Sequence, residues 1–370
     1  MLDALLGVSG VLVTADATPA IWLDGISAPS AGPILPCRNG LLDLDTRTLH
    51  KHTPAYFQTY AVPFDYGTNA PKPTAWTKFL ADLWAGDYEC IALLQEWFGY
   101  ILSGDTSHQK ILLLIGPKRS GKGTIARVLA ALLGRENVVS PTLASLGEQF
   151  GVQPLIGRNL AIVSDARLSG RSDLAIVIER LLSISGEDLQ TVSRKHLPVW
   201  TGRLPTRFTI LTNEAPRLTD VSGALASRFL VLPTKNSFYG NEDRTLFDRI
   251  ELELPGVLLW ALDGLDRLRG NGKFTIPESA ADMTETLGDL SSPIQVFIRD
   301  CCIIDAAASV ETRTLFSGWR HWCEENGRDH VGTIQTFGRD LIAVAPGIRI
   351  RQLRQGDGTR YRAYEGIELQ

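Results

Sequence analysis

The stretch Lys110-Ile-Leu-Leu-Leu-Ile-Gly-Pro-Lys-Arg-Ser-Gly-Lys-Gly-Thr124 constrains this chain more than any other. Ile111 to Ile115 is a short, unbroken apolar run, which reads as a strand buried on both faces of a parallel sheet. Gly116 and Gly121 follow with four residues between them, then Lys122. The residues from Thr124 to Leu133 have helical spacing and stop at Gly134. Strand, glycine-rich turn, lysine and helix together make a phosphate cradle. Glycines let backbone N–H groups turn inward, the helix N-terminus adds positive potential, and Lys122 reaches the β- and γ-phosphates. The candidate nucleotide loop is therefore Gly116, Pro117, Lys118, Arg119, Ser120, Gly121, Lys122, Gly123 and Thr124. Gly123 stands where Ser or Thr is usual, so a magnesium-facing hydroxyl is expected from Thr124, or a water replaces it.

A chain of 370 residues, 44% hydrophobic and 21% charged, has room for two or three globular domains. Its formal net charge is −4, so a nucleic-acid site must be a local feature and not a global basic footprint. The five cysteines, Cys37, Cys90, Cys301, Cys302 and Cys323, form no C-x-x-C pair and have no complementary His cluster. That argues against zinc and for reduced thiols in a cytoplasm. The N-terminus carries Asp3 and Asp16 and lacks a basic start, unlike a signal peptide. No apolar run is long enough to span a membrane.

In chain order, residues 1–35 are small and apolar with Gly and Pro interspersed. Residues 36–105 read as a small, mostly helical domain: Asn39-Gly40 marks a turn, Leu41 to Asp45 a short strand, and Thr74 to Leu102 a helical pattern. Residues 106–290 alternate strands with helices, which implies an α/β core with a parallel sheet and helices on both faces. Its strands are expected at Ile111–Ile115, Val138-Val139, Asn159–Asp165, Arg207–Asn213 and Phe229–Leu232. A helix is expected from Ser172 to Ile184, another from Asp243 to Arg269 with a break at Pro255, and a polar linker from Asn271 to Ser292. Residues 291–370 read as three helices, Pro293–Ile303, Thr312–Asn326 and Thr333–Val344, and a hairpin around Gly356-Asp-Gly358. That set suggests a winged helix. The ribbon carries Arg349, Arg351, Arg354, Arg360 and Arg362, which suit either DNA contact or a solvated edge that resists aggregation.

Three further residues and one hairpin are the main candidates for chemistry. Asp165 ends an apolar strand, and at the C-terminal end of a parallel strand it would face the phosphate loop and hold magnesium through water. Ser164 precedes it where a second acid is frequent, so the activating base is Asp165 or an acid elsewhere. Asn213 ends the next strong strand, where an amide can orient the attacking water; Glu214 is the weaker neighbour. Arg228 comes just before the strand Phe229–Leu232. Between Asp165 and Asn213, Thr191–Ser193 and Val199–Thr201 can pair as a hairpin with Arg194, Lys195 and His196 at its tip, a placement that suits phosphate contact.

This order of phosphate loop, strand-ending acid, Arg-Lys-His hairpin, strand-ending Asn and then Arg resembles superfamily 3 helicases, the ring-forming AAA+ motors of papillomaviruses, polyomaviruses, poxviruses and many phages and plasmids. Within them the chain is similar to the helicase half of phage and plasmid primase–helicases of the poxvirus and satellite-phage type. Asn39-Gly-Leu-Leu-Asp43, Pro54-Ala-Tyr56 and Gln95-Glu-Trp-Phe-Gly-Tyr100 resemble the helical domain before that motor. Pro293-Ile-Gln-Val-Phe297 and Phe337-Gly-Arg-Asp-Leu341 resemble its winged-helix segment. The resemblance implies ATP and Mg2+ as cofactors, with Lys122, Asp165, Asn213 and Arg228 catalytic and Thr124 and Asp165 at the metal. Arg228 would be an arginine finger presented to a neighbouring subunit. Arg194, Lys195 and His196 would form a hairpin gripping single-stranded DNA in the pore of a ring, expected to be a hexamer. It further implies a DNA helicase acting on single-stranded and forked DNA in a bacterial host cytoplasm, with any primase domain outside this chain. Two other classes share features. The Gly-Lys-Gly-Thr ending also occurs in adenylate-kinase-like nucleotide kinases, and an ATP-dependent loader or origin-binding protein would encircle DNA without unwinding it.

Overall fold

The structure, a computed structural model, describes residues 21–22, 32–58, 60–164, 172–216, 223–328, 331–354 and 360–370. The chain divides into two compact units, one of residues 1–216 and 228–283, the other of 217–227 and 284–370.

The first unit opens with β1 (Ile21–Trp22), β2 (Ile34–Cys37), β3 (Gly40–Asp43), β4 (Leu49–His50) and β5 (Tyr56–Phe57). β2, β3 and β4 form an antiparallel sheet, and β1 pairs with β5. Only β3 was legible as a strand in the sequence, so the start of the expected mostly helical domain is a small sheet. Two helices follow, α1 (Thr74–Leu83) and α2 (Tyr88–Ser103). α1 buries Trp76, Phe79, Leu80 and Leu83, the i, i+3, i+4, i+7 stripe of an amphipathic helix. α2 starts where the Asp87 carboxylate accepts from the Cys90 amide at 3.1 Å and stops at Gly104, whose φ of 69° is left-handed.

Next in the chain come β6 (Ile111–Ile115), α3 (Lys122–Leu133), β7 (Val138–Val139), α4 (Leu143–Gly147), β8 (Leu160–Val163), α5 (Ser172–Ser185), β9 (Gln190–Arg194), β10 (Leu197–Gly202), β11 (Arg207–Thr212), α6 (Ala224–Arg228), which up to Ser227 belongs to the second unit, and β12 (Phe229–Pro233). Five of these strands make one sheet in the order β12-β6-β11-β8-β7, every pair parallel. All five residues of β6 are buried, as a central parallel strand requires. β11 lies between β6 and β8, so the ends of β8 and β11 both border the loop that follows β6. α7 (Leu246–Leu252) and α8 (Leu254–Asn271) complete the unit, broken at Glu253 with Pro255 in the first turn of α8.

One face of the sheet, through Leu112, Leu114, Ile162, Leu211, Leu230 and Leu232, shares a single core with α1, α2, α3 and α8. The helices before β6 are thus part of the sheet's own core and not a domain apart. Trp97 on α2 donates to Thr209 Oγ1 at 3.0 Å, and Trp84 donates to Pro233 O at 2.7 Å. α2 and α8 cross at backbone contact. A Cβ on Gly99 would lie 2.4 Å from Ala261 O, and one on Gly264 would lie 2.4 Å from Gln95 O. Beside this crossing the fully buried Glu96 accepts from Arg267 Nε at 2.7 Å and from Thr275 N at 2.7 Å.

Residues 271–292, expected as a linker, contain the helix α9 (Ala281–Ser291). Its sequence is polar because only Leu287 and Ser291 are buried, which leaves little apolar periodicity to read. The second unit then holds α10 (Pro293–Cys301), β13 (Cys302–Ile303), β14 (Ser309–Glu311), α11 (Thr312–Glu325), α12 (Ile334–Val344), β15 (Arg349–Arg354), β16 (Arg360–Glu365) and β17 (Glu368–Leu369). Three helices and the β15–β16 hairpin fall where the sequence predicts them, and β14 adds a third strand against β16. The turn at 355–359 lies outside the described residues. The core of this unit is aromatic: Trp319 stacks on Trp322 at 5.4 Å and on Phe337 at 5.7 Å, with Phe297 edge-on to Trp319 at 5.5 Å. No helix among the described residues is long and apolar enough to cross a membrane.

Because the α2–α8 crossing leaves no room for a methyl group against backbone, Gly264→Ala should lower stability by about 2–3 kcal/mol. Urea unfolding reads this directly, and an unchanged midpoint would show that the helices can part freely.

Candidate functional site

The loop after β6 is closed by its neighbours. Thr234, just past β12, donates its amide to Ile115 O at 2.7 Å and its hydroxyl to Ser120 Oγ at 2.8 Å. A Cβ on Gly116 would lie 2.0 Å from Thr234 Oγ1, so only glycine fits there. Gly121, the residue before α3, has φ 84°, a left-handed conformation that favours glycine, and a Cβ on it would meet the Phe79 ring at 2.9 Å. α3 begins at Lys122, two residues before the helical pattern in the sequence, so Lys122 and Gly123 lie in its first turn.

The Lys122 side chain is folded into this loop and is only 8% exposed. Its ammonium donates to Gly116 O at 2.6 Å, Pro117 O at 2.8 Å, Ser120 Oγ at 3.2 Å and Asn213 Oδ1 at 3.4 Å. Burial holds its pKa below the ordinary lysine value. No carboxylate among the described residues pairs with it. The structure therefore brings Asn213, the residue after β11, to Lys122. Glu214 is exposed and off the wall of the cleft.

A cleft of about 810 Å³ opens over the loop. Lys118, Arg119, Gly123 and Thr124 line it with Ser164, exposed at the end of β8. Asp165 lies outside the described residues. The Thr124 hydroxyl accepts from Arg127 Nη2 at 3.4 Å. With Gly123 bare of any side chain, this hydroxyl is the described group suited to a metal beside a phosphate. The donor set fits a magnesium–polyphosphate group: a cation with no carboxylate partner among the described residues, a glycine-lined cradle and the hydroxyls of Ser120, Thr124 and Ser164.

Sequence reasoning missed two walls of the cleft. Ala75, Lys78, Phe79 and Asp82 of α1 form one, although that helix reads only as core. Phe238, Asn241, Glu242, Asp243, Leu246 and Arg249 form the other. The second wall is tied to the loop, since Ser237 Oγ donates to Lys118 O at 2.8 Å and the Phe238 amide to Arg119 O at 2.9 Å. Nothing in periodicity distinguishes these residues from an ordinary core or surface.

Arg228 stands at the other edge of the sheet. β12 runs parallel to β6 with Phe229 opposite Ile111 and Pro233 opposite Ile115. Arg228 is thus separated from the loop by the full length of β6, roughly 15 Å at 3.3 Å per residue. It cannot reach the loop of its own chain. The β9–β10 hairpin is present with Lys195 and His196 as its two-residue turn. His196 has φ 57°, and the Lys195 amide donates to Gln153 Oε1 at 3.0 Å. Arg194 Nε donates to Pro198 O at 2.7 Å within the hairpin. Lys195 and His196 are exposed beside exposed Leu197 and Val199, and a bulge between Leu197 and Trp200 bends the second strand.

Known proteins match parts of this chain. Residues 29–85 match a family described as D5 N terminal like, and residues 114–228 match a family of unknown function, DUF5906. An uncharacterized mitochondrial protein, ymf21, of Marchantia polymorpha is 24% identical over 129 residues, which are 32% of this chain and 72% of that protein. The apo structure of the NrS-1 C-terminal region has a similar fold. One form gives a TM-score of 0.55 at 16% identity and covers 92% of this chain and 83% of that one. Another gives 0.50 at 16% identity, with 82% and 78% covered.

If the cradle takes phosphate, a nucleoside triphosphate at hundredfold excess over its Kd should stabilise the chain by roughly 2.7 kcal/mol. Thermal unfolding should show that shift in the wild type and none in Lys122→Ala, which itself should fold because it removes a buried cation. An equal shift in both proteins would reject the cradle.

Proposed function

As this chain belongs to the phage-type primase–helicase family, we propose that it is an ATP-hydrolysing DNA helicase of the AAA+ superfamily 3 kind. In this reading it assembles as a ring, with a hexamer the expected size, moves on single-stranded DNA and unwinds forked DNA. The observation that carries the reading is the separation of two parts on opposite edges of one parallel sheet. At one edge is the buried Lys122, which no carboxylate among the described residues pairs with, in a glycine-lined loop. An arginine and a basic hairpin are at the other.

The roles follow from that separation. Gly116 to Thr124 would hold the phosphates of ATP, with Lys122 turning from the loop carbonyls to the β- and γ-phosphates. Magnesium, when bound, would neutralise phosphate charge; Thr124 and Asp165 would hold it. Asn213 would orient the attacking water from its place beside Lys122. Phe79, Ala75 and Phe238 offer an apolar wall of the kind a base ring packs against. Since Arg228 cannot reach its own loop, it would serve the loop of the next subunit. A planar, permanently charged guanidinium can follow charge across several phosphate oxygens. Lys195 and His196 would grip the DNA backbone, with Arg194 stiffening the hairpin. The second unit would act as a winged helix whose ribbon contacts DNA. Arg354 pairs across the strands with Arg360, and Gln352 with Arg362, so two arginines face each other where like charges repel. Among the described residues none of these three arginines forms an ion pair, and a phosphate backbone would relieve the repulsion.

Two outcomes test this. Lys195→Ala with His196→Ala should keep basal ATPase and lose DNA affinity, and removing the lysine contact should make the salt dependence of binding shallower by about one unit of slope. Unchanged DNA affinity in the double variant would reject the hairpin's role. Arg228→Ala should bind ATP and hydrolyse it slowly, since arginine fingers supplied in trans are worth roughly 10³ to 10⁵ in turnover elsewhere. Mixed with Lys122→Ala, it should recover ATPase that neither variant has alone. Verified co-assembly without recovery would sink the trans assignment.

A further inference from the structure

Arg228 does not stand unsupported at its edge of the sheet. Its Nη1 donates to Gln109 Oε1 at 3.3 Å. Gln109 Nε2 donates the other way, to Gly186 O at 3.3 Å and toward Glu187 Oε2 at 3.4 Å. Those donations fix which end of the amide faces the guanidinium. Glu187 also accepts from Thr106 Oγ1. Both Gln109, with φ 53°, and Glu187, with φ 66°, hold left-handed backbone that side-chain-bearing residues seldom adopt. Two such residues bonded to each other mark a local arrangement held by its contacts and not by backbone preference.

The chemistry of the amide is the informative part. Glu187 is the acid beside Gln109, yet its oxygens are turned to Thr106 and to the Gln109 amide. Among the described residues Arg228 forms no ion pair. The neutral Gln109 is interposed between the carboxylate and the guanidinium, so the arginine is aimed without being neutralised. Lys110, next in the chain, has its pKa held down by burial and then by the Arg228 charge, so this edge carries two neighbouring cations. Gly186 leaves room for the arrangement, since a Cβ there would lie 3.1 Å from Arg228 Nη2. Gly186 and Glu187 also lie directly before the hairpin. Gln190, the first residue of β9, donates to Asp188 O at 3.2 Å and accepts from Ser183 Oγ at 3.5 Å.

We infer that Gln109 is a positioning residue for Arg228: it holds the guanidinium in place, keeps it apart from Glu187, and anchors it to the turn that leads into the hairpin. This rests on the reading of Arg228 as an arginine supplied to the neighbouring subunit. The test uses the full chain with single-stranded DNA. It measures kcat and KM for ATP in Gln109→Ala, Gln109→Glu, Arg228→Ala and the double variant Gln109→Ala/Arg228→Ala. Gln109→Ala should lose about tenfold or more in kcat, as a misaimed catalytic group does, with KM little changed. Gln109→Glu keeps the size and an acceptor, yet it should be as slow, because a carboxylate would pair with Arg228 and hold it back from phosphate. A purely structural glutamine would predict that only variants with a lowered unfolding temperature are slow, so thermal unfolding is recorded for each. The double variant should be no slower than Arg228→Ala alone. Wild-type turnover in the folded Gln109→Glu protein, or losses that multiply in the double variant, would overturn the proposal. If Arg228→Ala itself turns over normally, the trans-arginine reading fails and this inference with it. If Arg228→Ala is slow while the Gln109 variants are normal, only the role of Gln109 fails. Should Gln109→Ala not fold, Gln109→Glu carries the comparison.

Discussion

The Lys122 ammonium is buried against two carbonyls, a hydroxyl and an amide oxygen, and no carboxylate among the described residues answers its charge. A cation taken out of water without a counter-ion is costly, and its lowered pKa is the expected sign. The surrounding structure exists to hold it there. Thr234 fixes Ser120 and closes on Gly116, Gly121 turns the chain into α3, and Asn213 arrives from β11. Each of these depends on the sheet order, because β12 and β11 are the two neighbours of β6. The loop is therefore not a local motif inserted into a fold. It is the point at which three parallel strands end together, and an anion is the ligand that relieves what burial imposes.

A parallel sheet sorts residues by strand end. Residues that follow a strand gather at one edge and residues that precede a strand gather at the other. Lys122, Ser164 and Asn213 follow β6, β8 and β11. Gln109 and Arg228 precede β6 and β12, and the hairpin precedes β11. No side-chain movement exchanges the two groups, because roughly 15 Å of strand separates them. A chemistry that needs both the cradle and the Arg228 guanidinium from this sequence would have to bring two copies together.

Much of this was legible because the signals are short-range. The apolar run of β6, its glycines and the amphipathic α3 are contiguous, and the alternation on either side of Lys195-His196 located the hairpin, although Arg194, expected at its tip, is the last residue of β9. The strands expected to end at Asp165 and Asn213 followed from apolar runs, and they stop at Val163 and Thr212. Elements fixed by distant packing were not legible. Around the one legible strand β3, the four-residue β2 and the two-residue β4 offer no period to detect, and α9 hides because it buries so little. The role of α1 in the cleft is invisible to any pattern. Phe79 is a core residue by every local sign, yet its ring is what Gly121 packs against. The support of Arg228 by Gln109 was equally out of reach, since nothing in sequence brings residues 109, 187 and 228 together.

The same long-range packing decides how the chain can be divided. A helical segment ahead of a nucleotide loop invites separation, and composition alone would place a boundary near residue 105. The α2–α8 crossing argues otherwise. Gly99 and Gly264 let two helices touch backbone to backbone, and Glu96 binds both Arg267 and the Thr275 amide from within that contact. One of these helices precedes the loop and the other ends the sheet's own unit. Removing the first would expose Leu112, Leu114 and Leu232 on the face of the sheet and strand Arg267 without its buried partner. Trp97 would no longer satisfy Thr209 in β11, the strand that carries Asn213 to Lys122. The segment before the loop is thus part of what holds the cradle's geometry, and the smallest piece of this chain that can position Lys122 begins well before β6.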